Sequence, residues 1–213
     1  MKLYGYYRSS ASYRIRIMLN YKGLDFENVA VRLDRGEHRA DEFRRINTQG
    51  FVPALDVGAA VLAQSPAIAE YIEELYPEPP LLPADAIGRA RVREIVGIVG
   101  CDIHPIQNLR ILTHLRSEFG QDDESVSAWC RRWIGEGFAV IEKLAAERST
   151  EGRYVFGDSL TLGDVWLIPQ VFNARRFGLD LAPFPTIAGI DAHCQGLEAF
   201  AKAHPARQPD AVS

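Results

Sequence analysis

Cysteine is scarce in this sequence. The chain has 213 residues and only three cysteines, Cys101, Cys130 and Cys194. Their number is odd and their spacings are long, which argues against a disulfide framework and against a zinc knuckle. Because disulfides persist mainly in oxidising compartments, a reducing compartment is expected. We expect no bound metal ion, and we expect Cys101 and Cys130 to be buried and inert.

Long apolar runs and an excess of positive charge are also absent. No run approaches the roughly 20 apolar residues that a membrane-spanning helix needs, and the first residues, MKLY, lack the apolar stretch of a signal peptide. The formal net charge is −4, so neither nucleic acid nor an anionic membrane is an expected partner. These absences predict a cytoplasmic protein, in which a few arginines supply any positive charge that a ligand requires.

The first eighty residues alternate between strand and helix patterns. Strands are predicted at 2–6, 26–33, 54–55 and 60–63, and helices at 10–21, 41–45 and 65–76. Ser65 is expected to cap the last of these helices, with Pro66 at its first position. Dense proline from Pro77 to Pro83 predicts an extended linker. The order β-α-β-α-β-β-α therefore indicates an α/β domain over residues 1–80.

The rest of the chain shows only helix patterns, which predicts an all-α domain over residues 86–213. One long helix is predicted at 87–119, kinked at Pro105, and others at 126–147 and 187–203. Thr161 and Asp164 form a predicted capping box at the start of a further helix. The tail from Pro205 is expected to be frayed.

Two helix starts in the α/β segment could bind an anion. Ser9 and Ser10 stand where the first helix begins, and Gln64 and Ser65 where the third begins. Free backbone N–H groups and the helix dipole favour negative charge at such places. Helix capping alone would also explain these serines. In addition, Pro53 precedes a short strand and could follow a cis peptide bond, which would expose the neighbouring main chain to a ligand.

The string SSASYRIRIML, which runs from Ser9 to Leu19, resembles the signature of the zeta-class glutathione transferases. In that signature, Ser-Ser-Cys-Ser is followed by an aromatic residue and by Arg-x-Arg-Ile. Further motifs of the family follow in the family's order over nearly the whole chain. They are VPAL at 52–55, QS at 64–65, DIHPIQNL at 102–109, the stretch from GD to D at 157–164, PQV at 169–171 and RRF at 175–177.

This resemblance implies a glutathione transferase fold. A thioredoxin-like N-terminal domain would bind glutathione as the cofactor, an all-α domain would complete the site for an acidic substrate, and the protein would be a homodimer. His104 and Asn108 are expected on one face of the long helix because of their four-residue spacing, and Asp102 is expected to reach the partner subunit's site. By position, the glutathione contacts of the family fall on Ser10, His38, Val52, Pro53, Gln64, Ser65, Asp102, His104 and Asn108.

The resemblance further implies a glutathione-dependent cis–trans isomerase that converts maleylpyruvate or maleylacetoacetate, both dicarboxylic oxo acids, to the fumaryl isomer. A thiolate that adds to the cis double bond leaves a single bond, rotation follows, and elimination regenerates the thiol. Ser9 and Ser10 are expected to stabilise the thiolate, and Arg8 and Arg176 to bind the substrate carboxylates. Arg110 is a weaker candidate that a surface ion pair would also explain. The choice between the two acids stays open.

Ala11 stands where the family has cysteine. A methyl group cannot act as a nucleophile, so chemistry that needs that cysteine, such as reductive dehalogenation, is not expected. Isomerisation by the glutathione thiol needs no protein thiol. Two alternatives stay open, a transferase that conjugates glutathione to small electrophiles and a glutathione-binding module without turnover.

Overall fold

The computed structural model describes residues 1–212 of the chain. Contacts divide it into two compact units. The N-terminal unit consists of Met1–Pro80 together with the segment from Gly196 onwards, and the helical unit consists of Leu81–Gln195. The domain boundaries 1–80 and 86–213 stay predictions. The return of the last segment to the N-terminal unit is a feature that residue patterns alone do not reveal.

A four-stranded sheet lies in the N-terminal unit. Its strands are β1 (Lys2–Gly5), β2 (Glu27–Ala30), β3 (Ala54–Asp56) and β4 (Val61–Ala63), in the spatial order β2-β1-β3-β4. β1 pairs in parallel with β2 and antiparallel with β3, and β3 pairs antiparallel with β4. The parallel pair needs a crossover connection, which the first helix supplies. The fully buried Leu3 and Leu55 are opposite each other in the register of β1 and β3.

Nine α-helices lie in the part of the chain that the structure describes. The N-terminal unit contains α1 (Ser10–Tyr21), α2 (Asp41–Ile46), α3 (Ser65–Leu75) and α9 (Glu198–Ala203). The helical unit contains α4 (Ala86–Gly97), α5 (Leu109–Ser117), α6 (Asp123–Arg148), α7 (Leu162–Arg176) and α8 (Pro185–Gln195). An α/β part followed by helices is the predicted fold class, and the structure confirms it. The predicted single helix at 187–203 is wrong, because Gly196 and the extended Leu197 separate α8 from α9.

The predicted long helix at 87–119 is also wrong. After α4 the chain passes through a π-helical turn, Ile98–Ile103, and a 3-10 turn, His104–Gln107, before α5 begins. Pro105 has no N–H group with which to continue an α-helical ladder. Asn108 is extended, with φ −68 and ψ 149, and caps α5 with its side-chain oxygen. His104 and Asn108 therefore do not share one face of a continuous helix.

The C-terminal segment packs against the N-terminal unit to which it belongs. Helix α9 contacts α1, and the buried Arg16 donates from Nε to the carbonyl oxygen of Ala203 at 3.0 Å. Farther on, Gln208 accepts through Oε1 from Nδ2 of Asn28, on β2, at 3.0 Å. The described part of the tail from Pro205 is therefore held by a contact with a residue far away in sequence, and its predicted fraying is wrong; Ser213 lies outside the described residues.

The predicted capping box at the start of α7 is confirmed. The hydroxyl oxygen of Thr161 accepts from the Gly163 N–H at 3.2 Å, and the Asp164 carboxylate accepts from the Thr161 N–H at 2.9 Å. The same carboxylate accepts from the Val155 N–H at 2.7 Å and is completely buried. Burial raises the pKa of Asp164 to about 6, against the opposing effect of these hydrogen bonds. One side chain thus satisfies donors from both the helix start and the preceding loop.

We expect Asp164→Ala to lower the free energy of unfolding by about 3–5 kcal/mol, because it leaves two buried N–H groups without an acceptor and removes the Asp164 half of the capping box. Denaturation in urea measures the change. Asp158→Ala removes an exposed carboxylate from the same loop and should stay within about 0.5 kcal/mol of the parent protein. A loss below about 1 kcal/mol for Asp164→Ala would contradict this role of the carboxylate.

Candidate active site

The junction between β1 and α1 presents two serines at a helix start. Ser9 is the N-cap of α1, and its hydroxyl oxygen accepts from the Ser12 N–H at 3.2 Å. The Ser9 N–H donates to the carbonyl oxygen of Tyr6 at 3.0 Å, which closes a tight turn. Ser10 is the first residue of α1 and is buried. Because a hydroxyl has one donor and two acceptor positions, Ser9 can cap the helix and still donate to an anion.

A buried arginine of α1 contacts the first residue of α3. Arg14 is 1% exposed, and its Nη1 donates to the hydroxyl oxygen of Ser65 at 3.4 Å. Burial lowers the pKa of Arg14 to about 9, so the side chain stays positive at neutral pH. A cation thus lies at the N-terminus of α3, a combination that favours a bound anion. Arg14 was not among the predicted site residues, although an arginine between apolar helix residues indicates a buried charge.

Gln64 adopts an unusual backbone conformation directly before α3. Its φ of 70 and ψ of 113 make it the one non-glycine residue of the described chain with positive φ. Such a conformation costs about 1–3 kcal/mol and is concentrated at ligand sites. Its side-chain amide donates to Oε1 of Gln49. The helix itself begins at Ser65, so the cap is Gln64 and the prediction that Ser65 caps α3 is wrong by one position.

The loop before β3 is held by one asparagine. Asn47 is buried, and its Nδ2 donates to the carbonyl oxygen of Phe51 at 2.7 Å. Its Oδ1 accepts from the main-chain N–H two residues on, at 3.1 Å. The Val52–Pro53 peptide bond is cis, which confirms that reading of the sequence. Since β3 begins after Pro53, the peptide groups of Val52 lie outside the ladder between β1 and β3.

His38 lies beside this loop. It belongs to a 3-10 turn, Glu37–Arg39, and is buried. Its carbonyl oxygen is so close to Gly50 that a Cβ there would lie 2.8 Å away, and Gly50 also has φ 66. Burial, with a smaller effect of Arg39 and Arg44, lowers the pKa of His38, so its imidazole is neutral at pH 7. Its Nδ1 is buried without a hydrogen-bond partner among the described residues, which suits a polar ligand group.

In the helical unit, Asp102, His104 and Asn108 follow one another along the irregular stretch between α4 and α5. Asp102 is exposed, whereas His104 and Asn108 are half-buried. π-helical turns occur frequently at functional sites. A buried amide pair connects this stretch to α7, because Nε2 of Gln107 donates to Oε1 of Gln170 at 2.6 Å. This pair was not predicted, since nothing in the spacing of the two glutamines indicates it.

The two predicted carboxylate-binding arginines are both exposed and both lie near aromatic rings. The guanidinium carbon of Arg8 is 6.0 Å from the ring centre of Tyr6 and 5.9 Å from that of Tyr7. Arg176 is the last residue of α7, and its guanidinium carbon is 4.5 Å from the ring centre of Phe177. A ring contact orients a guanidinium through its flat face rather than through its N–H groups. This orientation is compatible with forked binding of a carboxylate.

The cysteines are free thiols. Burial raises the pKa of Cys130 to about 11 and also raises that of Cys194, so both are protonated at neutral pH. Cys101 is exposed on the π-helical turn, so the prediction that it is buried is wrong. Within residues 1–212, no group of three or more His, Cys, Asp or Glu side chains could hold a metal ion. No helix in that range is long and apolar enough to cross a membrane.

The N-terminal part of the chain matches a known protein family. Residues 1–74 match the family model described as the N-terminal domain of glutathione S-transferase. The chain is 56% identical over 212 residues to maleylpyruvate isomerase of a Ralstonia species, and the match covers 100% of both chains.

Two solved structures are similar over the full length. One is the holo structure of maleyl pyruvate isomerase, described as a bacterial glutathione S-transferase of the zeta class. It is 55% identical, with a TM-score of 0.98 and coverage of 100% of both chains. The other is maleylacetoacetate isomerase from Methylobacterium extorquens AM1 with bound malonate and GSH. It is 38% identical, with a TM-score of 0.95 and coverage of 100% of both chains. These likenesses confirm the fold class that the sequence predicted.

The backbone of Gln64 gives a direct test of strain at the start of α3. We expect Gln64→Gly to be about 1 kcal/mol more stable than Gln64→Ala, because glycine tolerates positive φ without steric cost. Both variants lose the contact with Gln49, so their difference isolates the backbone. Urea denaturation measures it, and equal stabilities of the two variants would show that the residue is not strained.

Proposed function

The chain belongs to the zeta class of the glutathione transferase family, and on that basis we propose that it is a glutathione-dependent cis–trans isomerase. Its substrate is a dicarboxylic oxo acid with a cis double bond, maleylpyruvate or maleylacetoacetate, and its product is the fumaryl isomer. The observation that carries the proposal is the buried Arg14 at the start of α3, in a chain that resembles such isomerases over its whole length. A homodimer and a cytoplasmic location are part of the same proposal.

The N-terminal unit has groups that fit glutathione. Gln64 and Ser65, at the positive start of α3, suit the γ-glutamyl end. Val52, ahead of the cis Pro53 and outside the sheet ladder, suits main-chain pairing with the cysteinyl unit. The unpartnered Nδ1 of His38 offers a further polar contact to the tripeptide.

Three residues of the helical unit are proposed as further glutathione contacts. Asn108 uses its oxygen to cap α5, and its side-chain NH₂ can donate to a carboxylate. His104, four residues earlier, offers an imidazole. Asp102 is exposed and is the residue proposed to reach the partner subunit's glutathione. The support for these roles is the family resemblance together with their shared place in the irregular stretch.

The chain's task toward the cofactor is to favour a thiolate. When bound, glutathione supplies a thiolate that adds reversibly to the cis double bond, so that rotation and elimination give the trans product. Lowering a thiol pKa by about two units requires about 2.7 kcal/mol of preferential thiolate stabilisation. A hydrogen bond to a charged group contributes about 1.5–3 kcal/mol, and a helix N-terminus adds about 0.3–1 kcal/mol. Ser10, assisted by Ser9 at the start of α1, can therefore supply the required amount.

The chain's task toward the substrate is to hold two carboxylates. Arg8 and Arg176 are the groups proposed for this, because a guanidinium is planar, permanently charged and able to donate two parallel hydrogen bonds. An apolar acceptor pocket would instead favour conjugation of an electrophile. Ala11 supplies no thiol, so the sulfur nucleophile in this proposal belongs to glutathione.

Incubation of each acid with the protein, with and without glutathione, tests the proposal. Conversion to the fumaryl isomer is expected only with glutathione, and the glutathione should be recovered unchanged at the end. Accumulation of a stable glutathione conjugate would identify a conjugating transferase instead. Binding of glutathione without conversion of either acid would leave a binding module. Relative rates with the two acids decide the preferred substrate.

We expect Arg176→Ala to lower kcat/KM for the preferred acid by about 30- to 150-fold, the effect of losing a charged hydrogen bond of about 2–3 kcal/mol. Most of the change should be in KM, and the affinity for glutathione should stay the same. Steady-state kinetics and calorimetric titration measure the two effects. Arg132→Ala, which removes an exposed arginine from an ion pair with Glu136, is the matched control. Unchanged kinetics in Arg176→Ala would remove this arginine from the substrate site.

A further inference from the structure

The C-terminal segment contacts the main chain that carries the predicted catalytic residues. The N–H of Tyr7 donates to Oδ2 of Asp210 at 2.9 Å, although 203 residues separate the two. Tyr7 is buried and Asp210 is half-buried. Tyr7 directly precedes Arg8 and lies two residues before Ser9. The Asp210 carboxylate therefore holds the Tyr7 peptide group, which directly precedes the first predicted catalytic residue, Arg8.

Arg16 holds the same peptide from its other side. The buried guanidinium donates from Nη2 to the carbonyl oxygen of Tyr7 at 2.9 Å, from Nη1 to that of Tyr6 at 3.4 Å, and from Nε to that of Ala203 at 3.0 Å. Burial lowers the pKa of Arg16 to about 10, and the negative charge of Asp210 opposes that change. The N–H and the C=O of Tyr7 are thus both engaged, one by a carboxylate and one by a guanidinium. Hydrogen bonds to charged groups are stronger than neutral ones.

The position of Asp210 is itself fixed. Two residues earlier, Gln208 donates from Nε2 to the carbonyl oxygens of Lys202 and His204, both at 3.0 Å. Its Oε1 accepts from Nδ2 of Asn28 at 3.0 Å. One side chain therefore closes the turn after α9 and attaches it to β2. Asp210 reaches Tyr7 from an anchored turn and not from a loose end.

We propose that Asp210 is a positioning residue for the junction between β1 and α1. By accepting the Tyr7 N–H, it holds in place the main chain from which Arg8, Ser9 and Ser10 project. It acts through Tyr7 and touches neither substrate nor cofactor. Its effect on catalysis rests on the proposed function, whereas its effect on glutathione binding and on the bound thiol can be measured without turnover. A tail that served only to stabilise the fold would change neither the affinity for glutathione nor the ionisation of its thiol.

Asp210→Ala and Asp210→Asn, in the full-length chain, test the proposal. The alanine variant loses the acceptor, whereas the asparagine variant keeps an oxygen that can accept from Tyr7. We expect Asp210→Ala to weaken glutathione binding by about threefold to tenfold, the effect of losing one hydrogen bond, and to shift the titration of the bound thiol to higher pH. Asp210→Asn should restore most of both. Asp158→Ala, exposed in the helical unit, is the charge-matched control.

Calorimetry gives the affinity, ultraviolet absorbance of the thiolate gives its titration, and thermal unfolding reports the fold. A lower unfolding temperature for Asp210→Ala, with unchanged affinity and thiol titration, would overturn the proposal and leave the tail a purely structural element. If the parent protein isomerises neither acid, the proposed function fails, and these two binding measurements still decide the role of Asp210. If Asp210→Ala does not fold, Asp210→Asn decides. A glutathione affinity and a thiol titration far from those of the parent protein would overturn the proposal, and values like those of the parent protein would support it.

Discussion

The hydrogen bond between Arg14 and Ser65 is the interaction on which the site of the N-terminal unit depends. It links Arg14, in the second turn of α1, to the first residue of α3 and places a buried positive charge there. A buried cation favours negative charge nearby, and the N-terminus of α3 adds to the same positive potential. An anionic ligand would add negative charge at this helix start. Gln64 and Ser65 stand at this positive helix start, which favours a ligand carboxylate.

Features specified by neighbouring residues could be predicted from the sequence. Helix α1 and the Thr161–Asp164 capping box are confirmed because periodicity and caps are local signals. The helix at 87–119 failed because its apolar spacing continues while the main chain changes to π and 3-10 hydrogen bonding around Pro105. That change of path also explains why Cys101 is exposed on a stretch that was predicted to bury it.

The candidate site also contains residues that could be predicted from the sequence and residues that could not. Its serines and its X-Pro bond could be recognised from short motifs, and a family resemblance supplied the remaining positions. Three supporting residues were not predicted, and the contacts through which they act cannot be derived from the sequence. Arg14 contacts a residue 51 positions away, Asp210 one 203 positions away, and Asn47 holds its loop through main-chain groups. Such contacts decide where the recognised residues are held, and only the folded chain reveals them.

The central claim is that the start of α1 stabilises a glutathione thiolate, and titration of the bound thiol by ultraviolet absorbance tests it most directly. For the parent protein we predict a thiol pKa about two units below the usual value of about 8.5. In Ser10→Ala it should rise by about one unit, which corresponds to about 1.4 kcal/mol, while the exposed Ser159→Ala leaves it unchanged. A bound thiol that titrates like free glutathione, or one that ignores the loss of the Ser10 hydroxyl, would contradict the account.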